Sequence, residues 1–338
     1  MSEAASRYSA KLGAVLAAVI GLLGAAWIIF HIGFQPIFAA ISSAGWGGFA
    51  LLCLFGLANF TLLGFAWHAL VPCAALDILT FCWGRAVRDS AGDVLPLSQI
   101  GGMVIGARAV MLRGLARTRA FGSTIVDITL EMIAQLAFIA AGVAILVTRL
   151  PELRSGSLVK AGAIAIAVGA MLAAAFVIVQ RRGFGIFERM AQRLLPAAAL
   201  HAAELDRTIN EIHAAPRRLL TGFGLHLLGW LSAAFGLWLA LALVGYRTPY
   251  ANAVAIESLL CALRSATVFI PGAIGVQEAG YAVMMPLFGL PAEIGVAVSL
   301  LKRAREIAVG VPVLLSWQFA EGRRAFAPAA QLRPSLHD

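Results

Sequence analysis

Six apolar runs, each long enough to cross a bilayer as a helix, limit what this chain can fold into. They lie at about 12–30, 47–70, 121–148, 157–180, 218–245 and 293–319. At about 1.5 Å of rise per residue, ~20 apolar residues cover the ~30 Å hydrocarbon layer. The charged fraction, 13% of 338 residues, is roughly half the ~25% usual for a soluble domain. Membrane strands would give ~10-residue segments of alternating polarity, and the sequence has none. The prediction is an all-α, polytopic membrane protein, with residues 1–338 forming a single integral membrane domain.

Arg7 and Lys11 precede the first run, which continues to Phe30 without a small-residue cleavage pattern. It is therefore read as a retained span rather than a signal peptide. Cys53, Cys73, Cys82 and Cys261 are scattered and form no CxxC, so they read as small apolar packers, with no metal and no cofactor expected. In such a chain the formal charge of +9 is a matter of position, and no nucleic-acid partner is expected. Basic residues favour the cytoplasmic flanks. Arg7 and Lys11, Arg113, Arg117 and Arg119, the seven arginines of 181–218, and Arg323, Arg324 and Arg333 fall on one side if both termini are cytoplasmic. The short loop at 149–160, with Arg149, Arg154 and Lys160, dissents and is outweighed.

That topology requires the two interrupted apolar stretches, about 74–112 and 251–290, to return to their starting side. Residues 81–96, FCWGRAVRDSAGDVLP, carry Arg85, Arg88, Asp89 and Asp93. Each would cost ~2.5–3.5 kcal/mol at the centre of a lipid-exposed helix. Broken backbone at membrane depth is tolerated where protein or water surrounds it. Both stretches are therefore predicted as re-entrant helical hairpins beside about six spanning helices. The order of two spans, hairpin and span occurs twice, starting from opposite sides. This is an inverted-topology repeat, with repeat one at about 12–148 and repeat two at about 157–319. AVM at 109–111 and again at 282–284 supports the match. In such folds broken helices build a site near the midplane. The connector 181–218 reads as a cytoplasmic amphipathic helix with Phe184, Phe187, Met190, Ala191 and Leu194 on one stripe. Residues 320–338 form a tail.

The intramembrane charges are the functional signal, because ionisable residues there are costly. Asp127 and Glu131, four apart, share one helix face and need a cation or proton between them. In SLLKRAREI, residues 299–307, Lys302, Arg303 and Arg305 point in different directions, and Glu306 can reach Lys302 or Arg303. Glu257 and Arg264 share a face of the second hairpin, with Glu278 after the break. Ion pairs that merely lock helices together are the bland account of any one of them. Asn59, His68 and His226 read as helix–helix hydrogen bonders.

The stretches ESLLCALRSATVFIPGAIGVQEAGY (257–281) and SLLKRAREIAVGVPVLLSWQ (299–318) resemble hopanoid-biosynthesis-associated membrane proteins. These are a branch of the family named for the transmembrane region of lysylphosphatidylglycerol synthase. The P-G-x-x-G-x-x-E element at Pro271, Gly272, Gly275 and Glu278, together with the charged final span, carries the resemblance. In the first hairpin PLSQIGG (96–102) stands where the wider family often has a basic residue and a Gly-Glu pair, which suits a branch with a different lipid. The resemblance implies a bacterial cytoplasmic (inner) membrane location and a flippase-like activity. Only about 20 residues follow the last span, so the aminoacyl-transfer domain of the large relatives is not expected.

The expected function is a lipid transporter or flippase in hopanoid biosynthesis or trafficking, working by alternating access. Its candidate substrate-binding residues are Arg88, Asp93, Arg108, Glu257, Arg264, Pro271, Gly272, Gly275, Gln277, Glu278, Lys302, Arg303 and Arg305. Its candidate coupling residues are Asp127, Glu131, Glu278 and Glu306. A membrane-embedded enzyme acting on a hopanoid or polyprenyl lipid is one alternative, but no catalytic spacing supports it and no catalytic residue is assigned. A scaffold for hopanoid-pathway enzymes is the other. The expected partner is a membrane lipid, with a hopanoid the leading choice. Small residues such as Gly102 and Gly106 permit an oligomer without requiring one.

Overall fold

A computed structural model describes residues 34–71, 77–95, 98–149, 196–266, 273 and 275–326. Among these the chain is helical and contains no strand. The helices are α1 (Phe34–Leu70), α2 (Ile78–Val94), α3 (Ser98–Leu112), α4 (Arg117–Arg149), α5 (Pro196–His213), α6 (Pro216–Leu243), α7 (Tyr250–Ala266), α8 (Val276–Met284) and α9 (Ala292–Phe326). A 3₁₀ turn, Met285–Phe288, follows α8. The apolar runs at 12–30 and 157–180 lie outside the described residues.

Among the described residues, three helical segments are long and apolar enough to span: Ile41–Leu70, Arg117–Arg149 and Pro216–Leu243. Their outer faces expose large side chains such as Leu54, Leu57, Leu228 and Phe235, which belong against lipid. The run at 293–319 becomes α9, a helix of 35 residues with Pro312 inside it. At ~1.5 Å per residue α9 exceeds a bilayer core in length, yet its middle carries Lys302, Arg303, Arg305 and Glu306. It reconciles the two by burying Lys302 and Arg303 in protein.

Both interrupted stretches are helical hairpins. In the first, Gly84 faces Val110, Gly106 faces Arg88, and Gly102 faces Arg88 and Gly92. One number rises as the other falls, so α2 and α3 are antiparallel. Residues 96–97, at the turn, lie outside the described residues. In the second, Gly280 lies against Leu260 and Leu263, and Tyr281 bonds Glu257, which makes α7 and α8 antiparallel too. The nine residues of α8 span only ~13 Å, too short to cross by themselves. Gly275 caps α8 with φ +80°, a left-handed conformation that glycine adopts without steric cost.

The helix neighbours respect an exchange of halves. Helices α1 and α6 run antiparallel, with Leu63 on Gly229, Phe55 on Gly236 and Leu243 on Gly48. The first arm of each hairpin packs on the last helix of the other half. Ser90 and Val94 of α2 meet Gly310 of α9, while Ser258 of α7 meets Gly142 of α4. Likewise α9 packs on α1, and α4 on α6. The main apolar core, including Leu52, Leu237, Leu241, Ile256, Tyr281 and Leu301, sits where α1, α6, α7, α8 and α9 meet. Both AVM triplets end the second hairpin arm, at 109–111 and 282–284.

Among the described residues of the connector the helix is α5, 196–213, which seats Leu205, Ile209 and Ile212 against Leu70 and Val126. The stripe from Phe184 to Leu194 lies outside the described residues. Pro216 then opens α6 as its first helical residue, where a missing N–H costs nothing.

Close backbone approach sets the packing at two glycines. A Cβ on Gly64 would overlap the Cys82 backbone, and one on Gly142 would overlap the Ser258 hydroxyl. Gly47 has open space around it. Gly64→Val and Gly142→Val are therefore expected to destabilise the purified protein by at least ~1–3 kcal/mol, and Gly47→Ala to leave it unchanged or slightly more stable. Thermal unfolding in detergent measures all three.

Candidate functional site

Each half places charges of the first hairpin arm against charges of its last helix. In the first half, Arg85 and Arg88 lie three apart on α2 and Asp127 and Glu131 four apart on α4, so each pair shares a face. Arg85 Nε donates to Asp89 (2.8 Å), Nη1 to Asp127 (3.3 Å) and Glu131 (3.0 Å), and Nη2 to Glu131 (2.5 Å). Arg88 donates to Asp127 at 2.6 Å and also to Glu131. His226 Nε2 of α6 lies 2.9 Å from the other Asp127 oxygen. The counter-charge that Asp127 and Glu131 demand is thus supplied by arginines of the hairpin, and Asp127 is fully buried.

The second half uses the opposite signs. Here the hairpin arm carries the acid and the last helix the base. Lys302 Nζ donates to both oxygens of Glu257, at 2.7 and 3.0 Å. Tyr281 of α8 donates its hydroxyl to Glu257 at 2.6 Å and accepts from Lys302. Lys302 therefore goes to Glu257, and Glu306 turns to Arg303 (3.2 Å) and Arg305 (3.7 Å). Tyr281 was invisible to a reading built on formal charge. A tyrosine three residues after Glu278 and behind a glycine reads equally well as an apolar packer.

Between these two groups lies a looser set that joins the hairpins. Asp93, at the end of the first arm of hairpin one, sits 3.6 Å from Arg264 near the end of the first arm of hairpin two. Arg303 lies 3.7 Å from Glu278. Glu278 also accepts the Gly275 N–H at 2.7 Å and the Ser299 hydroxyl at 3.2 Å. An acid here complements the positive end of the α8 helix dipole. Buried Gln277 donates to Ser299 at 3.1 Å. A cavity of about 40 Å³ opens beside this set, lined by Asn59, Ser90, Asp93, Arg305 and Glu306 among others.

Thus Asp93, Arg264, Gln277, Glu278, Arg303, Arg305 and Glu306 form this central set, with Gly275 at its edge. Arg88, Asp127 and Glu131 form one flanking group, and Glu257 and Lys302 the other. Arg108 stands apart. It is exposed on α3 and pairs with Glu321 near the end of α9 at 2.6 Å. Pro271 and Gly272 lie outside the described residues. No group of three or more His, Cys, Asp or Glu suited to a metal occurs among the described residues.

The model of the family described as lysylphosphatidylglycerol synthase TM region matches residues 14–313. The chain belongs to that family. No curated protein and no solved structure matches it. Membership in this lysylphosphatidylglycerol synthase TM family, with the all-helical fold and its apolar helices, makes the chain a membrane protein. The matched range takes in both hairpins and, of the charges placed in ion pairs in this site, all except Glu321.

Removing one partner of a buried pair leaves an uncompensated charge, which typically costs ~3–5 kcal/mol, whereas removing both is far milder. Glu257→Gln and Lys302→Met are each expected to lower stability by that order. The double variant should recover most of the loss, read as a double-mutant cycle of thermal unfolding in detergent.

Proposed function

We propose that this protein moves a polar membrane lipid between leaflets, in hopanoid biosynthesis or trafficking, by alternating access around its two hairpins. One observation carries the reading: two helical hairpins bring ionised side chains together between long apolar helices. Burying so many charges is costly, and intramembrane charges commonly mark substrate or ion pathways. The exchange of neighbours between the halves agrees with an inverted repeat, a plan that rocks one half against the other. Membership in a family often flippase-like adds to this. The hopanoid assignment rests on the resemblance of 257–281 and 299–318 noted above, and the bacterial inner membrane with both termini cytoplasmic goes with it.

The distances suggest which contacts part. Multiple short, charge-assisted hydrogen bonds fasten Arg85 and Arg88 to α4 and Lys302 to Glu257, and such bonds are strong. The Asp93–Arg264 and Arg303–Glu278 pairs, at 3.6 and 3.7 Å, lie beyond hydrogen-bond length and cost less to separate. The cavity of about 40 Å³ has room for a few waters and none for a lipid head group. The conformation described is therefore a closed one in this reading, and the hairpins separate at their seam to admit the head group while the apolar body stays in lipid.

The test is lipid movement in reconstituted vesicles, with hopanoid and phospholipid probes read leaflet by leaflet. The native chain should move a probe without changing it chemically. Arg264→Gln should slow movement at least about tenfold, the effect of ~1.4 kcal/mol, while Arg108→Gln should have little effect. A new lipid species would instead identify an enzyme. In cells, lipid distribution that survives neutralisation of Arg264 and Arg303 but is lost on changes in 196–213 would identify a scaffold.

A further inference from the structure

The cavity between α1, α2 and α9 combines three features that the ion-pair network leaves unexplained. First, two carboxylates face it, Asp93 and Glu306. Second, their compensation is unequal. Glu306 has Arg303 at 3.2 Å and Arg305 at 3.7 Å, whereas the salt-bridge partner of Asp93, Arg264, stands off at 3.6 Å. Third, Ser90 is 1% exposed, lines the cavity, and its hydroxyl oxygen has no hydrogen-bond partner; nor has the buried Asn59 Oδ1 across from it. Buried polar atoms are seldom left unsatisfied, so these two point to an occupant of the cavity.

We propose that this cavity is a proton-holding site in which Asp93 and Glu306 share one proton, resident on Asp93, with Ser90 and Asn59 bonding to it directly or through water. Two carboxylates that share a small, weakly solvated site do not both ionise cheaply. The proton belongs on the acid with the poorer counter-charge, which is Asp93. A protonated Asp93 supplies the donor that the Asn59 amide oxygen lacks, whereas a carboxylate can only accept; the Ser90 hydroxyl can bond to either form of the acid. The charged groups facing Asp93 come from three helices. Asp89 is on its own helix, Arg264 on α7, and Arg303, Arg305 and Glu306 on α9. Helix α1 adds Asn59 and has no Lys, Arg, Asp or Glu. The cavity volume suits a proton with a few waters, and Arg305 in its wall disfavours a metal cation.

This inference deepens the lipid-carrier reading by naming a coupling ion and its seat. Because the seat lies beside the Asp93–Arg264 contact, the proton held on Asp93 keeps the pair that joins the hairpins weak, and its loss tightens that pair. Proton occupancy can then bias the seam toward opening.

Infrared spectroscopy of the whole protein in nanodiscs, without added lipid substrate, tests it. Near neutral pH, a carbonyl stretch of a protonated carboxylic acid that shifts in D₂O is expected. It should vanish in Asp93→Asn and shift in Ser90→Ala, which keeps the acid and alters its hydrogen bond. In Glu306→Gln it should also fade, because Asp93 then faces arginines without a competing acid. Absence of any such band dependent on Asp93 in the folded native chain overturns the proposal. So does a thermal stabilisation by sodium over choline that Asp93→Asn abolishes, which would identify a metal-cation site. The readout needs no transport, so its failure leaves the carrier reading standing, and failed lipid movement with the band intact counts against the carrier alone.

Discussion

The cost of placing charge inside an apolar layer governs this molecule. A lone arginine or carboxylate at the bilayer centre is expensive, so each must meet its opposite, and that requirement positions the helices. Arg85 and Arg88 tie the first hairpin to α4 through Asp127 and Glu131. Lys302 ties α9 to the second hairpin through Glu257. The apolar contacts around them are plentiful but unselective, since lipid offers much the same environment. Polar pairing and close glycine contacts such as Gly64 on Cys82 decide which helix meets which.

The two halves solve the same problem with opposite signs. In the first, the hairpin carries the bases and the long helix the acids; in the second, the assignment reverses. An exchange of like with like would give two similar clusters. The reversal instead gives unlike ones, with arginines multiply bonded on one side and a lysine–glutamate–tyrosine triad on the other. Between them lies the seam of Asp93, Arg264, Glu278, Arg303 and Glu306, where contacts are longer. Tight clusters thus flank a looser centre.

Much of this was legible in residue order. The long apolar runs announced membrane helices, and the interrupted stretches announced hairpins, because proline, glycine and charge together make an exposed span untenable. The four-residue spacing of Asp127 and Glu131 demanded a nearby cation. Other parts were not legible. The carboxylate of Glu257 shares a face with Arg264 but takes its partners from Tyr281 and Lys302, which approach from other helices. Arg108 reads as one more hairpin charge, yet its helix turns it outward to Glu321. Ser90 and Asn59 carry no formal charge and gave no signal of the cavity that they line.

By itself, then, the sequence determined the solvent in which this chain folds, the helical character of its segments and the presence of buried ions. These follow from local hydrophobicity and from the price of charge in hydrocarbon, and they need no knowledge of neighbours. The tertiary structure decided which acid meets which base, which pairs are tight or loose, and where a polar cavity remains. Those depend on helix rotation and register, and packing between segments distant in the chain fixes both.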